Sequence, residues 1–307
     1  MTNPRIEHSA YLYLIFAALL WGGNYVVGKI MGTDVNPVTL AWLRWTPAAL
    51  LVVCFCLRGI IDQWELITSG ILRISVLAVL GVILFPTTLY KGLQTTTSLN
   101  AALYLSVVPL FVLLLNFLFY REKLTMRIGL GSGIAFLGVL WLLAKGNPGV
   151  LIDLNFNDGD LWAIASAFSW ACYCSLARLK PQGLKTGAFL GASLTIGVLL
   201  LTPIWLIELQ MTGQSIQDLS SLSIKNWLGI LYLAIGPSAL SYWFWNRGLD
   251  ALGSARGSLF NHLIPLSSAG LGILFLNERL YVYHLVSVVL IVVGIFISSL
   301  RTPKKSH

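Results

Sequence analysis

Runs of predominantly apolar residues, each about the 20 residues that a helix needs to cross ~30 Å of hydrocarbon, recur along this chain until little else is left. Cut at its charges, glycines and Asn/Asp clusters, the sequence yields ten such runs, at 11–31, 38–57, 72–91, 98–119, 128–144, 160–178, 187–207, 225–247, 255–276 and 283–300. Inside a bilayer each backbone polar group must be satisfied without water, so each run is expected as an α-helix. The expected fold class is an all-α integral membrane protein with ten transmembrane helices. Composition agrees, because 57% apolar against 10% charged residues leaves too little polar surface to coat a soluble body of this size. That balance excludes a soluble enzyme, a secreted disulfide scaffold and a nucleic-acid-binding domain. The first run is too long and too aromatic for a cleaved signal peptide and is expected to remain as the first span.

Positive charge orients the runs, since cytoplasmic loops hold more Lys and Arg than external ones. With the N-terminus inside, fourteen Lys and Arg collect on that side against five outside, with Arg44 left within the second run. Both termini are therefore expected in the cytoplasm, and the net charge of +8 needs no acidic partner. The four cysteines fall as Cys54 with Cys56 and Cys172 with Cys174. Helical neighbours two apart point about 200° away from each other, so neither pair can chelate a metal or close a bridge.

The sequence repeats itself. Tyr90-Lys91-Gly92-Leu93 matches Asn246-Arg247-Gly248-Leu249 at an offset of 156, and the same offset pairs Pro47 with Pro203, Pro109 with Pro265, Glu122 with Glu278 and Gly138 with Gly294. Near the start of each half the offset is 149, pairing Trp21 with Trp170 and Lys29 with Arg178. Two five-helix units are expected, at 11–144 and 160–300. Five crossings per unit make the second enter the membrane from the opposite face, and inverted repeats of this kind suit alternating access to a midplane site.

Candidate residues follow from depth and polarity. Asn24, Tyr25, Tyr90, Tyr104, Ser106, Trp170, Tyr173, Tyr242, Trp243, Asn261 and His262 lie in mid-run, where aromatic walls with a few amides and hydroxyls suit a small amphipathic solute. His262 offers either a proton-coupling imidazole or a structural one bonded to a backbone carbonyl. Arg44 is expected either to snorkel to the outer interface or to pair with Glu278 or Asp34. Pro109 and Pro265, matched between the halves, are candidate hinges. The four-residue spacing of Gly129 with Gly133 and of Gly253 with Gly257 suggests helix packing inside the bundle or a homodimer contact.

Taken in order, Trp21-Gly22-Gly23-Asn24, Lys29, Pro37, Arg44, Pro109-Leu110-Phe111 and Glu122-Lys123-Leu124, then Gly159-Asp160, Ser169-Trp170-Ala171, Pro265 and Asn277-Glu278-Arg279-Leu280, resemble the EamA-type transporters of the drug/metabolite transporter superfamily. The resemblance runs from about residue 11 to 300. It implies a ten-helix secondary transporter of the bacterial inner membrane, often an exporter of amino acids, metabolites or drugs, with a central cavity between the first, third and fourth helices of each half. It also implies that Asn24, Arg44, Pro109, Glu122, Trp170, Pro265 and Glu278 are motif residues, with Glu122 and Glu278 fixing a loop or gate. Arg121 stands where that family more often has a small residue.

The expected function is thus secondary transport of a small solute, with protons as a candidate coupling ion, no cofactor, and a monomer or homodimer in the bilayer. An intramembrane enzyme is the alternative, but the sequence offers no paired intramembrane aspartates, no His-Glu-x-x-His and no phosphate-binding glycine loop. A facilitative channel is the third reading. Scarce mid-depth charge argues against a multiply charged anion and for a neutral, zwitterionic or lipophilic cationic solute.

Overall fold

The computed structural model describes residues 4–32, 34–122, 125–151, 157–275 and 281–299. Among these every regular element is helical: α1 (Pro4–Met31), α2 (Pro37–Asp62), α3 (Trp64–Ser69), α4 (Ile71–Ala78), α5 (Phe85–Thr95), α6 (Ser98–Leu105), α7 (Val108–Tyr120), α8 (Met126–Leu143), α9 (Asp158–Leu176), α10 (Thr186–Thr212), α11 (Ile216–Ser220), α12 (Ile224–Leu233), α13 (Ser241–Leu252), α14 (Ser254–Gly257), α15 (Leu263–Phe275) and α16 (Val282–Ser299). Seven helical stretches among the described residues are long and apolar enough to cross a membrane, namely His8–Met31, Pro37–Asp62, Ile71–Thr95, Asn100–Tyr120, Met126–Leu143, Thr186–Thr212 and Ile224–Leu252, with Val282–Ser298 a shorter apolar helix. The protein is a multi-pass membrane protein. Leu50, Phe55, Leu118, Phe119, Leu137, Leu199 and Phe296 are among the large apolar side chains that it leaves exposed, a surface that only lipid or a partner covers.

Two of the ten expected runs differ in character from the rest. The sixth is α9, which buries Asp160, Ser166, Ser169 and Ser175 together with Trp170 and Tyr173. It packs against α5 and α7, so its surroundings are largely protein and its polar groups find partners there. The ninth is divided among α14, a 3-10 turn at Ser258–His262, and α15. Packing exchanges between the halves: α1 lies against α13 and α15, α2 against α10, and α8 against α16.

Helix breaks recur at matched positions. A π-helical turn, Val79–Leu84, joins α4 to α5, and another, Ala234–Leu240, joins α12 to α13. The chain breaks at Ser106 and Val107 before α7 and through the 3-10 turn before α15. Pro109 is then the second residue of α7 and Pro265 the third of α15, where a missing N–H costs nothing. Of the four glycines that the spacing suggested, Gly257 packs, against Leu249. Gly129, Gly133 and Gly253 face open space, whereas Cβ atoms on Gly131, Gly138 and Gly294 would meet the facing helix of the α8–α16 pair. Residues 131 and 138 lie two turns apart on one face, and that face, not the one two residues round, turns inward.

Candidate functional site

Arg44 organises the centre of the molecule. Pro37 opens α2 at a favourable first-turn position, and the Glu208 carboxylate of α10 accepts from Val38 N (3.0 Å), Thr39 N (2.7 Å) and Thr39 Oγ1 (2.8 Å), which fixes that helix start. Two turns further in, Arg44 is 0% exposed. Its Nε donates to Ser238 Oγ at 2.7 Å, and its Nη1 donates to Tyr90 Oη at 2.7 Å and Asn24 Oδ1 at 3.0 Å. Tyr90 Oη in turn donates to Asn24 Oδ1 at 3.0 Å. The guanidinium also lies 4.7 Å from the centre of the Trp45 ring and 5.8 Å from that of Tyr90, near enough for cation–π attraction. Ser238 stands in the second π turn, and its hydroxyl donates to the Leu233 carbonyl. The expected outward snorkel is not what forms: the side chain turns inward to neutral oxygens, and Asp34, one of its two expected partners, accepts from Asn226 Nδ2 at 3.2 Å. Glu278 lies outside the described residues.

Beneath Arg44 the interior is filled with rings. Trp21 meets Trp170 edge-on at 5.0 Å, Trp170 stacks on Tyr173 at 4.9 Å, and Trp45 meets Tyr242 edge-on at 4.9 Å. Trp21 Nε1 donates to Pro237 O at 2.8 Å and Tyr242 Oη donates to Gly81 O. Each π turn therefore gives a carbonyl to a ring donor, and Gly81 and Pro237 are 156 residues apart. Trp170 Nε1 donates to Asn261 Oδ1 at 3.2 Å, and Asn261 Nδ2 to Ser258 O. His262 is buried, and neither ring nitrogen has a hydrogen-bond partner among the described residues, so the carbonyl-bonded alternative is not what forms here.

One contact is made twice. Tyr90 of α5 donates to Asn24 of α1, and Tyr173 of α9 donates to Asn246 of α13 at 3.0 Å. By the offsets of the repeat, Asn24 corresponds to Tyr173 and Tyr90 to Asn246. The same tyrosine–asparagine bond thus joins both pairs with the two residue types exchanged between the halves.

Polar clusters close the two ends. Glu122 pairs with Arg178 at 2.7 Å and accepts from Asn116 Nδ2, which also reaches Ser254, while Ser175 donates to Asn116 Oδ1. A cavity of ≈ 380 Å³ opens beside them, with Glu122, Arg178, Asp250 and Cys174 among its walls. At the other end, Lys29 Nζ donates to the Leu93 and Thr96 carbonyls at 2.7 and 2.8 Å, where α5 ends, and Thr96 Oγ1 donates to buried Asp160, an arrangement the helix dipole favours. Lys29 and Arg178, matched by the repeat, serve opposite ends.

Of the candidates from the sequence, Asn24, Tyr90 and Arg44 come together, as do Trp170, Tyr173, Tyr242 and Asn261. Tyr25 is buried on the α1 that carries Asn24, Tyr104 lies beside Asp160, and Ser106 bonds its own helix at Ala102 O. Trp243 stands apart, half-buried with Arg247 over its ring. Ser238 and Asn246 in the interior, and Asn116 in the end cluster, are not among those candidates. Asn246 was within reach, because it aligns with Tyr90 in the four-residue match. Among the described residues no group of three or more His, Cys, Asp or Glu is placed to hold a metal ion.

Known proteins resemble the chain along most of its length. An uncharacterized transporter of Bacillus subtilis, YyaM, is 26% identical and spans 96% of this chain and 95% of its own. Protein PecM of Dickeya dadantii is 29% identical over 91% of this chain and 88% of its own. A probable amino-acid metabolite efflux pump of Salmonella typhimurium is 26% identical, with 92% of each covered. A crystal structure shares the fold, with a TM-score of 0.69 at 19% identity over 95% of this chain and 96% of that one. The pattern of the EamA-like transporter family matches residues 8–144 and again 157–300, and the chain belongs to that family.

Proposed function

We propose that this membrane transporter is a secondary exporter of small metabolites of the amino-acid type, working by alternating access between two inverted five-helix units, 11–144 and 160–300, with ten crossings and both termini in the cytoplasm of a bacterial inner membrane. The observation that carries the reading is the exchanged tyrosine–asparagine pair. A bundle whose halves make the same contacts in swapped roles has two packings of similar free energy, one closed at each end. The double match of the family pattern and the matched π turns support the same two units. The Glu122–Arg178 cluster and the Lys29–Thr96–Asp160 cluster are then the inner and outer gates, with Pro109 and Pro265 at the breaks about which α7 and α15 tilt, and Glu278 in the outer gate. His262, without a hydrogen-bond partner among the described residues, is where an exchanged proton is proposed to sit. The efflux-pump name of the Salmonella relative supports the amino-acid class.

Counterflow in proteoliposomes tests the reading. Internal unlabelled amino acid is expected to accelerate uptake of labelled external amino acid, with saturation, while a pH dye records whether protons move against it. Flux that never saturates and shows no counterflow contradicts a carrier.

A further inference from the structure

Two ion pairs occur among the described residues, Arg178 with Glu122 and Lys180 with Asp250, both at one end of the molecule. Arg44 belongs to neither. Its Nε and Nη1 are satisfied by hydroxyl and amide oxygens, which answer the direction of the donors but not the charge. Its Nη2 and the neighbouring Asn24 Nδ2 are fully buried and have no acceptor among the described residues. The Asn24 amide orientation is not free to change this, because its oxygen already accepts from both Arg44 and Tyr90. A permanently charged guanidinium held in a protein interior with no counter-ion among the described residues is costly. The result is one positive charge with two unfilled donors on adjacent groups.

We propose that Arg44 and Asn24 form the binding site for a single carboxylate group of the transported solute, an inference that rests on the carrier reading above. One guanidinium and one amide match the two oxygens of one carboxylate. A phosphate dianion would leave charge unneutralised, and a lipophilic cation would meet repulsion, which removes that option from the solute classes the sequence allowed. Trp45 and Tyr90, already against the guanidinium, provide apolar and π surface for the rest of the solute. Arg44 has no solvent exposure, so the carboxylate enters when the bundle opens toward it and then replaces bonds that neutral oxygens make in the closed state. The bound anion thus favours one packing over the other, as a carrier requires.

The test uses the full chain in lipid nanodiscs and reads the thermal unfolding midpoint against sodium phenylacetate, neutral phenylacetamide and sodium chloride. Phenylacetate is expected to raise the midpoint saturably and the other two are not. Arg44→Gln is expected to abolish the rise and Arg44→Lys to retain part of it. Asn24→Asp, which places a carboxylate beside the guanidinium, is expected to raise the midpoint without ligand and to weaken phenylacetate by about tenfold or more. A merely structural Arg44 would not produce that loss. No rise with phenylacetate, an equal rise with phenylacetamide or chloride, or a rise that survives in Arg44→Gln or Asn24→Asp would overturn the assignment. Counterflow measured on the same preparation separates the two readings: Arg44-dependent stabilisation without counterflow supports the site and removes the carrier, whereas counterflow indifferent to Arg44 and to the carboxylate keeps the carrier and overturns the site.

Discussion

Arg121 ends α7 in the left-handed region, with φ 52° and ψ 29°, a conformation that an L side chain with a Cβ adopts at a cost and glycine does not. The family resemblance implies that a small residue is usual at this position, and the backbone supplies a reason. Arg121→Gly is expected to stabilise the protein by about 0.5–1 kcal/mol, read as a higher thermal midpoint; a lower one would mean that the arginine makes a contact worth more than the strain. Glu208 shows the opposite economy, because one carboxylate from α10 satisfies two backbone donors and a hydroxyl at the start of α2. Glu208→Ala is expected to cost about 1–2 kcal/mol, with Glu208→Gln retaining part of it. Equal midpoints for wild type and Glu208→Ala would show that water replaces the carboxylate.

Individual helices were legible wherever an apolar run of the right length stood between charges: α8 lies within two residues of its expected bounds, whereas α1 begins seven residues earlier and α2 and α10 run five residues further than expected. The π turns were not legible. Each inserts an extra residue in the helical repeat, and in the second Ser238 and Ser241 take up carbonyls five residues back; hydropathy carries no trace of either. Glycine spacing misled at Gly129 and Gly133 for a related reason: a four-residue interval says that two glycines share a face but not which face is turned inward. Substitution separates the two cases. Gly131→Ala places a methyl against Gly294 O and the Ser298 backbone and is expected to lower stability by about 1–3 kcal/mol. Gly129→Ala meets nothing within 4 Å and is expected to be neutral or to stabilise by about 0.5–1 kcal/mol. Thermal midpoints in the reverse order would contradict the α8–α16 interface.

For the whole molecule, the internal repeat was the informative part of the sequence, since it paired Lys29 with Arg178 and Tyr90 with Asn246 before any contact was known. What it could not supply was the partner of each residue. Arg44 has neutral partners from three other elements, α1, α5 and the second π turn, and only the assembled bundle brings them together. In the proposed cycle the end clusters act as gates, and little energy decides between packings. The Glu122–Arg178 pair is about a third to a half exposed and is worth less than ~1 kcal/mol to folding, yet a shift of that size in a near-balanced equilibrium changes populations several-fold. Glu122→Gln is therefore expected to leave the thermal midpoint nearly unchanged while maleimide labels Cys174, in the wall of the cavity beside Glu122, roughly threefold or more faster. An unchanged labelling rate would remove Glu122 from the gate.

The most direct measurement of alternation is a pair of spin–spin distances in the full chain in nanodiscs, one between labels at Gln94 and Gln217 and the other between labels at Glu65 and Ala255, recorded with and without a transported amino acid. The first pair reports one end of the bundle and the second the opposite end. Opposed changes are predicted, with the population that lengthens one distance shortening the other. Distances that stay fixed, or that lengthen and shorten together, would contradict a carrier that opens one end at a time.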